Sequence, residues 1–123
     1  IDIISSGHRP QSLEKKMQEL DLAPFGMIAL ETALAQTITH LIRPGILSWL
    51  DAMAKLSTHP ARMLGIPGGG MQIGQAADLV LIDPEVRWIV EPETLLTRAS
   101  NTPLAGQELF GRPLRTFVDG RSR

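Results

Sequence analysis

Residues 69–83 read Gly69-Gly70-Met71-Gln72-Ile73-Gly74-Gln75-Ala76-Ala77-Asp78-Leu79-Val80-Leu81-Ile82-Asp83, and two kinds of pattern meet within them. The glycines permit turns, Gly74 most directly, and Ala76-Ala77 let backbones approach closely. From Asp78 to Asp83 four consecutive apolar residues lie between two carboxylates, which predicts a strand. The triple glycine at 68–70 is followed by Met-Gln-Ile-Gly. A phosphate-cradling loop would need Lys-Ser/Thr and a helix, so a flexible turn is the expected reading.

Upstream of this stretch the pattern is helical. Leu30, Leu34, Ile38, Leu41 and Ile42 recur at three- and four-residue steps and predict one amphipathic helix. Glu31 stands near its positive end and Arg43 near its negative end, and Pro44-Gly45 stops it. Ser48 with Asp51 resembles a capping box for a second helix carrying Trp49, Leu50, Met53 and Leu56. Ser57 or Thr58 is expected to cap a third, short helix with Pro60 in its first turn and Gly65 at its end. Ser12 opens a short polar helix over 13–20. The chain begins Ile1-Asp2-Ile3-Ile4-Ser5-Ser6, which reads as a buried parallel strand needing a neighbour on each side.

Downstream, Pro84 is expected to stop the strand over 78–83, and a separate strand follows over 86–90. Residues 91–96 read as a helical turn, 100–103 as a loop, and Thr116 to Val118 as a strand entering an Asp119-Gly120 turn. Trp49 and Trp88 are expected to be core or interface anchors. The chain therefore divides near residue 66. Residues 1–66 have the strand-then-helices rhythm of an α/β barrel, and residues 67–123 the short strands of a small β-domain. The first strand and the abrupt final turn together suggest a piece of a larger fold.

Bulk properties narrow the function classes. The 123 residues are 43% apolar and 20% charged, with a formal net charge of −1. No whole-molecule field favours nucleic acid or an anionic membrane. Arg112, Arg115, Arg121 and Arg123 are spaced along a strand-and-turn pattern and read as a solvated edge. Without cysteine there is neither a disulfide nor a thiolate metal site. No run of roughly 18 apolar residues occurs, so a cytoplasmic protein is expected.

Four stretches carry a resemblance to a known family. Residues 69–83 are similar to the segment in which amidohydrolases re-enter a small β-sandwich. Leu22-Ala23-Pro24-Phe25-Gly26 followed by Leu30-Glu31-Thr32-Ala33 resembles the Ala-Pro-Phe-Gly…Glu-Thr segment of dihydroorotases. Leu56-Ser57-Thr58-His59-Pro60-Ala61-Arg62 is similar to the family's helix before the β-domain. Asn101-Thr102-Pro103-Leu104-Ala105-Gly106 resembles its late Asn-Thr-Pro-Phe-x-Gly loop, with Leu104 where Phe is usual. Hydantoinases and allantoinases share the first motif but match the last loop less well.

The resemblance implies an α/β fold: the last strand and helices of a (β/α)8 amidohydrolase barrel over 1–66, then part of a composite β-sandwich over 67–123. It implies zinc in the whole protein, with its ligands on earlier strands, and dihydroorotate or carbamoyl aspartate as the small-molecule substrate in pyrimidine biosynthesis. At the end of the last barrel strand the family reads Asp-His-Ala-Pro-His, where the Asp ligates metal and shuttles a proton. This sequence has Gly7-His8-Arg9-Pro10-Gln11. Gly7 thus occupies the Asp position and Gln11 that of a substrate-binding His.

The candidate substrate-binding residues are Arg9, Gln11, Pro24, Phe25 and Gly26. No residue of the chain is a catalytic or metal-ligating candidate, and His8, His40 and His59 read as structural or exposed. The chain alone is expected to be inactive, with Asp2 or a group elsewhere the only candidates to compensate for Gly7. The rival expectation is a degenerate subunit that scaffolds a partner such as aspartate transcarbamoylase.

Overall fold

The computed structural model describes residues 1–123 as an α/β chain in which helical segments precede a three-stranded antiparallel sheet of order β1-β2-β3. Helix α1 (Leu13–Lys16) is a single turn, shorter than predicted: it buries no residue, so no packing sustains further turns. Helix α2 (Ala33–Thr37) continues as a π-helical turn over Ile38–Ile42 and ends before Pro44, as the apolar stripe predicted. Ile38 at its centre is fully buried, which contributes roughly 1.5–3 kcal/mol.

Helix α3 (Trp49–Met53) starts at Ser48, whose Oγ accepts from Asp51 N at 3.1 Å and donates to Asp51 Oδ2 at 2.6 Å. The expected break at Ser57–Thr58 is absent. The helix runs on through a π-helical turn (Ala54–Thr58) into α4 (His59–Leu64), and Thr58 is itself helical with no capping bond. A proline inside a helix removes a donor and crowds the preceding turn. The wider turn just before Pro60 coincides with that missing donor, which is why one helix replaces two. Gly65 closes α4 in the left-handed conformation. Ile66 N donates to Ala61 O and Gly65 N to Arg62 O, the two bonds of a Schellman stop.

Strand β1 (Leu79–Ile89) is likewise continuous where two strands were expected. Pro84 sits inside an irregularity of the ladder between Asp83 and Arg87, where no donor is required of it. Strand β2 (Glu108–Val118) pairs with it along its length, and Asp119-Gly120 turn the chain into β3 (Arg121–Ser122) with positive φ at both turn residues. Asp78 Oδ1 accepts from Asp119 N at 2.8 Å, and Gly120 N donates to Ala77 O at 3.0 Å. A 3-10 turn (Pro92–Thr94) fills the predicted helical position.

The core lies where α2 meets the sheet: Ala35, Val90 and Leu109 are buried together, with Trp88 and Leu104 packed against them. Trp88 is thus the anchor expected, its Nε1 donating to Gly111 O at 3.1 Å. Trp49, by contrast, is partly exposed.

The predicted parallel strand over 1–6 does not form. This stretch lies against the helical segment instead: Ile4 N donates to Lys55 O at 3.1 Å, Lys55 Nζ donates to Ile1 O, and His59 Nδ1 donates to Asp2 O at 2.8 Å. The physical reason is the want of partners. A parallel strand needs flanking strands, and the three strands present belong to the antiparallel sheet. Parallel pairing survives only as a single bridge between His8 and Met27.

Candidate functional site

That bridge brings two loops side by side. Arg9 N donates to Met27 O at 2.9 Å, so residues 7–11 run next to residues 24–28. Gly26 makes the approach possible. Its φ is +129°, and a β-carbon there would lie 2.4 Å from Arg9 O. No side chain fits.

His8 holds the same junction from one side. Its Nδ1 accepts from Ala29 N at 3.1 Å and from Leu30 N at 3.0 Å, which satisfies two backbone donors and places its proton on Nε2. The histidine is a hydrogen-bonded structural residue in this arrangement. On the other side, Gln11 Nε2 donates to Phe25 O at 3.4 Å, and Lys16 Nζ donates to Pro24 O at 3.1 Å and to Gly26 O at 3.4 Å.

Each of these bonds takes a carbonyl. In a trans peptide the N–H points opposite to the C=O, and the chain has no cis peptide. Phe25 N–H and Gly26 N–H therefore face away from Gln11 and Lys16, and neither donates to a protein acceptor. The Phe25 side chain is 88% exposed. Arg9 is also exposed, with no ion pair or hydrogen bond from its guanidinium. The five candidates Arg9, Gln11, Pro24, Phe25 and Gly26 thus gather around one junction.

Residues 101–103 complete it. Asn101 Nδ2 donates to Gly26 O at 3.1 Å, its Oδ1 accepts from Gln11 N at 3.2 Å, and its backbone O accepts from Ile28 N at 3.0 Å. Gly7, Lys16, Gly26, Asn101, Thr102 and Pro103 border an open cleft of about 550 Å³. Sequence reading named the 101–106 loop without giving Asn101 a role, and it missed Lys16. The late loop's match to a family motif was the only available pointer to the first. The second had no signal, because a lysine in a polar helix looks like any solvated lysine.

Glu31 stands near the positive end of α2, as expected, but has a further role. It precedes α2 instead of sitting in its first turn, and its carboxylate accepts from Leu96 N at 2.9 Å and Thr97 N at 3.0 Å. It ties the start of the helix to the loop after the 3-10 turn, across 65 residues of sequence.

Zinc, which the resemblance implies, is bound by about three or four protein donors converging on one point. No three His, Cys, Asp or Glu side chains converge in this way here, and Gly7 adds no donor at the cleft. Asp2 lies against the start of α4 through its carbonyl. The residues of this chain do not make a zinc site.

Residues 6–123 match the amidohydrolase family. The chain belongs to that family. It is 44% identical over 121 residues to a dihydroorotase of Pelotomaculum thermopropionicum and 41% identical over 121 residues to one of Syntrophotalea carbinolica. In each case 98% of this chain aligns with 28% of the relative, so the chain spans little more than a quarter of their length. Among solved structures, it superposes on the L-hydantoinase (dihydropyrimidinase) of Arthrobacter aurescens with a TM-score of 0.92 at 27% identity, covering 99% of this chain and 28% of that one. No helix is long and apolar enough to cross a membrane.

Proposed function

We propose that the chain is the C-terminal part of a dihydroorotase-type cyclic amidohydrolase, supplying the substrate-carboxylate side of the cleft and none of the catalytic groups. The reaction is reversible hydrolysis of the ring amide of dihydroorotate to carbamoyl aspartate. One observation carries the reading: two adjacent backbone donors, Phe25 N–H and Gly26 N–H, are left free while their neighbouring carbonyls are held from behind by Gln11 and Lys16. Unpaired backbone donors on a braced segment suit a carboxylate, and Arg9, on the adjoining loop, is an exposed and unpaired cation. Residues 1–66 then complete a barrel and residues 67–123 a sandwich, with zinc and its ligands coming from the rest of the protein.

Dihydroorotate is favoured over a hydantoin because the two dihydroorotases above are 44% and 41% identical, against 27% for the hydantoinase whose backbone superposes so closely. A shared backbone does not choose a substrate.

Gly7 favours a second reading on its own account. A hydrogen side chain neither ligates metal nor moves a proton, and loss of a general acid–base costs about 10²–10⁴-fold in rate. Gln11 is turned to Phe25 O. On this reading the whole protein is a degenerate subunit that scaffolds aspartate transcarbamoylase.

The test uses the full-length protein carrying this chain, assayed for dihydroorotate hydrolysis per bound zinc. Slow turnover that Gly7→Asp raises by about 10-fold or more is expected: a β-carbon at Gly7 meets nothing within 4 Å, and its left-handed φ of +61° is one that aspartate bears better than most residues. Dihydroorotate binding without turnover in either variant, together with co-sedimentation with aspartate transcarbamoylase, would favour the scaffold. Absence of dihydroorotate binding would sink the main reading.

A further inference from the structure

We infer that Asn101 is a positioning residue that sets the spacing between Gln11 and the Phe25-Gly26 amides. Its side chain spends both of its functions on this one task. Oδ1 takes the Gln11 N–H, 90 residues away in sequence, and Nδ2 gives to Gly26 O, 75 residues away. Its own carbonyl takes Ile28 N–H. Three loops that share no secondary structure are thereby fixed to one planar amide, and only a group that donates and accepts on the same plane can do this.

The partly buried setting raises the cost of losing either bond. Gly26 O is also the acceptor for Lys16 Nζ, so the peptide following Gly26 is held from two directions. That peptide directly follows the one carrying the free Gly26 donor, so the clamp fixes the chain on the C-terminal side of the Phe25 and Gly26 amides. Part of the cleft is therefore built by a residue of the C-terminal β-rich half. The inference deepens the reading of the cleft as a carboxylate site and rests on it for its functional consequence. The clamp itself rests on the geometry alone.

The test compares Asn101→Ala and Asn101→Asp in the full-length protein, with thermal unfolding measured for both. Asn101→Asp keeps the acceptor for Gln11 N–H and loses the donor to Gly26 O. Asn101→Ala should speed amide hydrogen exchange at Gln11 by about 10-fold or more, whereas Asn101→Asp should leave it protected. Both variants should weaken dihydroorotate binding about 10-fold, the aspartate because its charge opposes both Gly26 O and an incoming carboxylate. Unchanged exchange at Gln11 in Asn101→Ala overturns the clamp. Unchanged dihydroorotate affinity in both variants overturns the positioning role. Should the unsubstituted protein bind no dihydroorotate, the reading of the cleft fails, and exchange at Gln11 still decides the clamp.

Discussion

Ile38 fills the space that a β-carbon on Gly111 would need: such an atom would lie 2.3 Å from Ile38 Cδ1. The helix stripe and strand β2 are interlocked at this point, because Gly111 also has φ of +89° and its carbonyl accepts from Trp88 Nε1. Gly111→Ala should destabilise the protein by about 2–4 kcal/mol, from overpacking and the left-handed backbone together. Urea unfolding measures it. Adding Ile38→Val should recover part of the loss, and a strictly additive double variant would contradict the contact.

His8 offers a sharper chemical test. Asparagine can place an acceptor near the position of Nδ1, whereas glutamine mimics Nε2. His8→Asn should therefore keep most of the stability, and His8→Gln should lose about 1–3 kcal/mol by stranding Ala29 N–H and Leu30 N–H. Zinc content of the full-length protein should be the same in both, as read by atomic absorption.

Glu31→Ala removes the acceptor of two consecutive amides. Since water reaches this exposed residue, the expected loss is only about 1 kcal/mol. The local effect should be larger: exchange at Leu96 and Thr97 should rise while that at Val90 and Leu109, in the core, stays slow. Equal acceleration at both places would mean that Glu31 acts on the whole fold.

Gly26→Ala brings a β-carbon to 2.4 Å from Arg9 O, so the Arg9–Met27 hydrogen bond cannot persist unchanged. Phe25→Ala, by contrast, trims an exposed side chain and leaves the backbone donors alone. The first should weaken dihydroorotate binding by about 10-fold or more, and the second by less than about 3-fold. Equal effects would mean that the aromatic ring, not the peptide, meets the ligand.

Periodicity and capping made much of the fold legible. The Leu34–Ile42 stripe, the Ser48–Asp51 cap, the Gly65 stop and the Asp119-Gly120 hairpin all stand where the residues predict. Punctuation was misread twice: Ser57-Thr58 does not cap a new helix, although Pro60 does stand in the first turn of α4 as expected, and Pro84 does not stop the strand. Pro84 sits in a ladder defect, and Pro60 in the first turn of α4 just after a π-helical turn, so neither proline is asked for the donor it lacks. The strand over 1–6 failed for another reason: an apolar run states what it wants to pair with but supplies no partner. The barrel expectation leaned on that strand, and the family assignment survives because the stretches at 22–34, 56–62, 69–83 and 101–106 carry it separately. At the cleft, residue types were readable, and the hydrogen bonds joining Gln11, Gly26 and Asn101 were not. Contacts spanning 75 to 90 residues leave no local pattern.

The irregularity around Pro84 also constrains how the chain can change. Four steps along β1 from Asp83 to Arg87 face two steps along β2 from Arg112 to Phe110. The surplus is even, so the inward and outward faces keep their alternation across the defect. A single inserted residue between 83 and 87 would invert every side chain of one half-strand relative to the other, whereas a pair would only lengthen the loop. Natural length variation at this spot should come in twos.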